Sequence, residues 1–195
     1  LGKDVLLVDA NINTPDIGLH LGTPNVPVSL QHVLDGKAKL SKAIYKHKSG
    51  MKVIPASLST TKTKHEKLFD IAKKIKKISE IAIMDSAAGI GKEALTAILA
   101  ADDIIIVSQP EIPALTNALK IKKISEEFDK NIRGIVLTRV MSKDEFSKED
   151  IEKIMGIPVL AEIPEDKAIR KSLNIRQAVV HAYPKSKSAK EYKKL

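Results

Sequence analysis

The sequence predicts an α/β fold with a mainly parallel sheet, and three observations carry that prediction. Short runs of apolar, β-branched residues recur along the 195-residue chain. A stretch with helical spacing follows each run, the alternation that builds parallel sheets. The runs are also apolar nearly throughout, as strands buried on both faces require.

The expected strands are residues 3–9, 51–55, 81–85, 103–108, 132–137 and 159–163, and the expected helices are 29–35, 62–77, 91–100, 114–128, 148–155 and 166–173. Gly36 and Gly156 stand where two of these helices should stop. In the second helix Lys73, Lys74, Lys76 and Lys77 read as a solvated face. In the fourth, Leu115, Ala118, Leu119, Ile121 and Ile124 fall on or near one side. Residues 141–148 form the most polar internal stretch, a loop. Near the end, Pro184 suits the start of a short helix docked through Ala189, Tyr192 and Leu195. No repeat or low-complexity tract interrupts the pattern, so one domain over residues 1–195 is expected.

Composition removes several classes of function. No apolar run approaches the roughly 18 residues of a membrane span. There is no cysteine, hence no disulfide, thiolate metal site or iron–sulfur cluster. His20, His32, His47, His65 and His181 lack metal-ligand spacing, and no serine sits in a nucleophile elbow. The net charge of +9 is almost all lysine, and aromatics are 3% of residues, too few to stack single strands. Any nucleic-acid contact would therefore be salt-dependent and sequence-independent.

Two apolar runs end in a carboxylate, Val5-Leu6-Leu7-Val8-Asp9 and Ile81-Ala82-Ile83-Met84-Asp85. Ligands of parallel sheets lie beyond the carboxyl ends of strands. Two such ends can share a hydrated magnesium ion, which prefers oxygen ligands. An aspartate there can equally cap the following turn, and the strand ends alone leave both readings open.

The following loops supply a resemblance. Residues 9–22 resemble switch I of the MinD and ParA ATPases, and Asp85-Ser86-Ala87-Ala88-Gly89 their Walker B and switch II segment. In the same order, residues 29–45 resemble the family's SLxxVLxG…AIY stretch and residues 53–57 its VIPAS. Ser108-Gln109-Pro110-Glu111 resembles its Asn-Pro-Glu loop, residues 134–140 its GIVLxR strand, and Ile163-Pro164-Glu165-Asp166 its IPED segment. The ending from Ala182 to Ala189 is similar to archaeal MinD proteins in particular.

The resemblance implies a three-layer P-loop NTPase (Rossmann-like) domain with ATP and Mg2+ as cofactors. Asp85 and Asp9 would hold the metal, with Asp9 and Asn11 as the catalytic positions. Asn11 stands where many relatives have aspartate. An amide can bond the attacking water but cannot take its proton. Gly89 would let the loop approach the γ-phosphate. Thr138, Arg139 and Pro164 would border adenine, and Glu111 would lie near the face where two subunits close over ATP. Ala87 replaces the usual proline, and Thr138 the asparagine of many relatives. Implied partners are a second copy in an ATP-dependent homodimer, a MinC- or MinE-like regulator, and weak association with a membrane or DNA surface. The implied location is cytoplasmic, peripheral to a membrane or nucleoid-associated.

One element of the family pattern has no counterpart. The glycine-rich, two-lysine Walker A loop that cradles phosphates is not matched by Gly2-Lys3, Gly36-Lys37 or Gly91-Lys92. The start at Leu1 resembles the end of the family's first helix. The expectation is thus a domain lacking its first strand, P-loop and first helix, with unpaired sheet edges and exposed apolar neighbours. A spatial-positioning or cell-division ATPase is the expected parent. The alternatives are a non-catalytic interaction protein or a DNA-partitioning ATPase.

Overall fold

The computed structural model describes residues 3–47, 49–58, 63–142 and 146–195. The chain divides into two compact units, residues 1–101 and 102–195.

In the first unit, strands β1 (Val5–Asp9), β2 (Tyr45–Lys46), β3 (Lys52–Ile54) and β4 (Ile81–Asp85) form a sheet of order β2-β3-β1-β4. The pairing of β1 with β3 and with β4 is parallel, and only β2 runs antiparallel to its neighbour. Helices α1 (Ile17–His20), α2 (Leu30–Leu34), α3 (Leu68–Ile75) and α4 (Lys92–Ala100) connect the strands. The α3 helix shows how its sequence places it. Leu68, Ile71, Ala72 and Ile75 recur at helical spacing and are buried. Lys73, Lys74, Lys76 and Lys77 stay exposed as expected. The buried face joins Leu6, Val8, Leu30, Leu34 and Ile54 in one core. The helix expected over 62–77 is shorter, opening with a 3-10 turn at His65–Lys67. Its first position, Lys62, lies outside the described residues, as do Leu1, Gly2 and part of the 141–148 loop.

The second unit contains β5 (Asp103–Ser108), β6 (Asn131–Val140) and β7 (Val159–Pro164) in the order β5-β6-β7, all parallel. Its helices are α5 (Ile112–Glu127), α6 (Lys148–Met155), α7 (Lys167–Asn174), α8 (Val179–Ala182) and α9 (Lys187–Lys194). Leu115 and Ala118 of α5 pack with Ile106, Ile135, Leu137, Ile151 and Met155 in a separate core. Ser147 and Asp150 form a capping box at the start of α6. Gly156 ends that helix in the left-handed conformation, with φ 63°.

The C-terminal helix starts later than Pro184. Ser186 caps it by accepting the Ala189 N–H at 3.2 Å, a bond proline cannot supply. Ala189 is buried, whereas Tyr192 and Leu195 stay exposed, so the apolar stripe docks only at its first turn. Asp166 ties both ends of this region. One carboxylate oxygen accepts the Ala168 N–H at 2.8 Å. The other accepts the Ser188 N–H at 3.2 Å and its hydroxyl at 3.0 Å. These bonds hold its pKa below the ordinary carboxylate value. Their stabilisation is therefore present at neutral pH and lost as pH falls through that lowered value. Asp166→Ala should cost about 2 kcal/mol, measured as a lower melting temperature at pH 7, and the deficit should shrink in acid.

Strands β4 and β5 depart from the two-sided burial that their sequences suggest. Among the described residues each has one strand neighbour. Ile83 is 53% exposed and Val107 64%. These are the open apolar edges expected above.

Candidate functional site

In the first unit, the parallel register of β1 and β4 sets Asp9 beside Asp85 at their carboxyl ends. The Ala10 N–H donates to the Asp85 carbonyl at 2.8 Å and extends the pairing past the strand ends. Asp9 is fully buried, and neither carboxylate oxygen has a hydrogen-bond partner among the described residues. Burial chiefly, then the charges of Asp85 and Asp16, push its pKa up to about 7. The nearby Ile17 and Ala56 amides pull the other way without offsetting this. Asp85 opens to solvent and is raised too, by partial burial and then Asp16, with His20 opposing.

An orphaned buried carboxylate in an acidic group is what a bound cation would satisfy, and hard oxygen donors suit Mg2+. Among the described residues no three His, Cys, Asp or Glu side chains converge into a protein-only cage. The residues fit an ion that keeps water or phosphate ligands.

Asp16 was not singled out by the sequence. It holds the N-cap position of α1 without a side-chain capping bond and lies 3.8 Å from His20 Nε2. Its signal was available, since it is the second acid of the 9–22 segment. Asn11 is drawn into a local turn. Its amide donates to the Thr14 carbonyl and accepts the Thr14 hydroxyl, both at 2.8 Å. Gly89 sits in the 86–91 loop with φ 80° and open space where a Cβ would stand. Of the remaining histidines, His65 lies 3.5 Å from Glu93 Oε1, and two others have local partners. His32 and His47 each accept a neighbouring serine N–H through Nδ1.

In the second unit, Val140 pairs with Pro164, and the Glu165 N–H donates to the Val140 carbonyl at 3.0 Å. Thr138, Arg139 and Pro164 thereby gather at the carboxyl ends of β6 and β7. Arg139 adopts φ 57° and donates to Glu165 at 2.9 Å. The Thr138 hydroxyl donates to the Ser108 carbonyl at 3.2 Å. Glu111 is exposed at the N-cap position of α5.

Parallel strands with a carboxylate pair at one set of ends and a polar group at another make this an α/β protein whose ligand-binding groups stand where such sheets bind ligands. The profile of the CobQ/CobB/MinD/ParA nucleotide binding domain matches residues 1–178, and the chain belongs to that family. An uncharacterized ATP-binding protein of Methanocaldococcus jannaschii is 40% identical over 96% of this chain and 73% of its own length. The cell division ATPase MinD of Pyrococcus furiosus superposes with a TM-score of 0.94 at 32% identity, over 99% of this chain and 84% of that one. The septum site-determining protein MinD of Pyrococcus horikoshii, solved with Mg-ADP, gives 0.94 at 31% identity, over 99% and 82%. The fold is the three-layer α/β P-loop NTPase type. No helix among the described residues is long and apolar enough to cross a membrane.

Proposed function

We propose that residues 1–195 act as one nucleotide-responsive domain of a MinD-type ATPase that positions cellular structures such as the division septum. The observation that carries this is the buried, unpartnered Asp9 carboxylate in register with Asp85. Asp85 and Asp9 would hold Mg2+, which would supply neutralisation of phosphate charge. Asn11 orients the attacking water once its bonds to Thr14 open. Gly89 gives the 86–91 loop its close approach. Thr138, Arg139 and Pro164 border the adenine, and Glu111 lies toward a second subunit in an ATP-dependent homodimer. The relative solved with Mg-ADP supports the choice of cofactor. A MinC- or MinE-like regulator is the expected partner class.

The 195 residues carry no glycine-rich phosphate cradle, and acidic Asp9 and Asp85 repel an anion by themselves. The chain as it stands should therefore show no tight ATP binding by calorimetry and no magnesium-dependent turnover. The coding sequence directly upstream of Leu1 gives the matching test. A product extended by an in-frame two-lysine glycine loop should bind and hydrolyse MgATP. Turnover by the 195-residue chain would overturn its dependence on that loop, and an inert extended form would overturn the ATPase proposal.

One observation favours a second reading, a DNA-partitioning role. Residues 167–195 carry nine Lys or Arg against one acid, Glu191. All nine basic side chains are exposed, with Leu173, Ile175, Tyr192 and Leu195 exposed among them. A salt-titrated DNA shift set against liposome co-sedimentation separates the two readings. A non-catalytic interaction role corresponds to an extended form that binds partners but never turns over.

A further inference from the structure

Gln31 lies in the second turn-length helix of the first unit, in a segment where a polar residue is ordinarily solvated. Instead it is 3% exposed. Its carboxamide is used at both ends. Nε2 donates to the Ile12 carbonyl at 3.2 Å and to the Ser57 carbonyl at 2.8 Å. Oε1 accepts the Ser57 N–H at 2.8 Å. A buried amide with both hydrogens and its oxygen bonded is fixed in place, because losing any partner strands a polar group.

Its three partners belong to two chain segments. Ile12 lies in the 9–22 segment, one residue after Asn11 and three after Asp9. Ser57 follows β3, directly after Ala56, whose backbone amide opposes the upward shift of the Asp9 pKa. The Leu30 N–H donates to the Pro55 carbonyl at 2.9 Å, so the helix carrying Gln31 is itself anchored to that segment. Gln31 thus joins the two stretches of backbone that flank the buried carboxylate.

We propose that Gln31 is the positioning residue of the 9–22 segment: its carboxamide clamps the Ile12 backbone to Ser57 and so sets where Asn11 and Asp16 stand relative to Asp9. It touches neither nucleotide nor metal. This rests on the switch role proposed above for its consequence, but the clamp is a property of the chain itself.

Amide hydrogen exchange on the 195-residue chain tests it without nucleotide. The reporters are Ala10, bonded to Asp85, His20, bonded to Asp16, and Leu21, bonded to Ile17, together with the Ser57 amide. Gln31→Leu removes all three bonds and should speed Ser57 exchange by about 100-fold and the 9–22 reporters by about 10-fold. Gln31→Glu keeps an acceptor for Ser57 N–H but offers no donor to Ile12. It should leave Ser57 protected while still speeding the reporters. Amides of α5 and β6 should not change in either variant, which separates local release from global loosening. Should Gln31→Leu fail to fold, Gln31→Glu carries the test alone. Reporters that exchange at the parent rate in Gln31→Glu overturn the clamp, as does uniform acceleration across both units. Either result leaves the ATPase proposal standing, since that is decided by turnover of the extended form.

Discussion

Asp9→Asn should make the protein more stable at pH 8, by on the order of 4 kcal/mol, and should flatten its dependence on pH. The carboxyl has an ordinary value of 3.8 and is raised to about 7 in the fold. Folding therefore takes up a proton between those limits. The sign follows directly. The group's contribution is fully present below 3.8 and is lost as pH rises through 7. That interval corresponds to about 4 kcal/mol, or about 10 °C in melting temperature for a chain of this size. Asparagine keeps the shape and carries no charge, so the variant should match the parent near pH 4 and exceed it at pH 8. Magnesium supplies a second contrast. A cation beside the carboxylate favours its ionised form, so MgCl2 should raise the parent's melting temperature at pH 8 and leave Asp9→Asn nearly unmoved. Parallel pH profiles for the two proteins would refute the assignment. A site that destabilises the empty fold and is relieved by its ligand is the expected signature of function held at a cost in stability.

The sequence revealed this site unevenly, for physical reasons. The ends of β4 and β5 were legible because apolar runs stop abruptly at Asp85 and Ser108. Asp9 and Asp85 were legible as strand-end carboxylates. Their adjacency was not, because register is a tertiary property that single-strand patterns do not encode. The burial of Asp9 was also hidden, since it is a product of tertiary packing. Short elements escaped altogether. α1 spans one turn, and β2 is two residues held by cross-strand bonds to β3. Nothing local to Gln31 announces partners 19 and 26 positions away. The switch loops became readable only through family resemblance, their composition being that of any polar turn.

Gly134→Ala should cost about 3 kcal/mol or more, the largest loss expected from adding one methyl group in the second unit. The residue appeared in the sequence only as part of the GIVLxR resemblance. The structure gives its physical reason. Gly134 has φ 152°, a conformation that L side chains rarely adopt, at an irregularity where β5 and β6 slip in register. An added Cβ would stand 2.5 Å from the Pro158 carbonyl oxygen and 2.8 Å from the Leu160 side chain. Leucine could turn aside, but the carbonyl could not. It accepts the Ile135 N–H at 2.9 Å, and moving it would break the first bond that aligns β7 on β6. Strain and overpacking thus add at one position. Gly36→Ala is the control, because φ is 76° there but nothing lies within 4 Å of the new Cβ. That change should cost only about 1 kcal/mol, from the left-handed backbone alone. Thermal melts of the two variants should differ by several degrees, and β6 amides should lose exchange protection only in Gly134→Ala. Equal melting temperatures would show that the β6–β7 contact yields. In that case the gathering of Thr138, Arg139 and Pro164 at the strand ends would not depend on a glycine at this position.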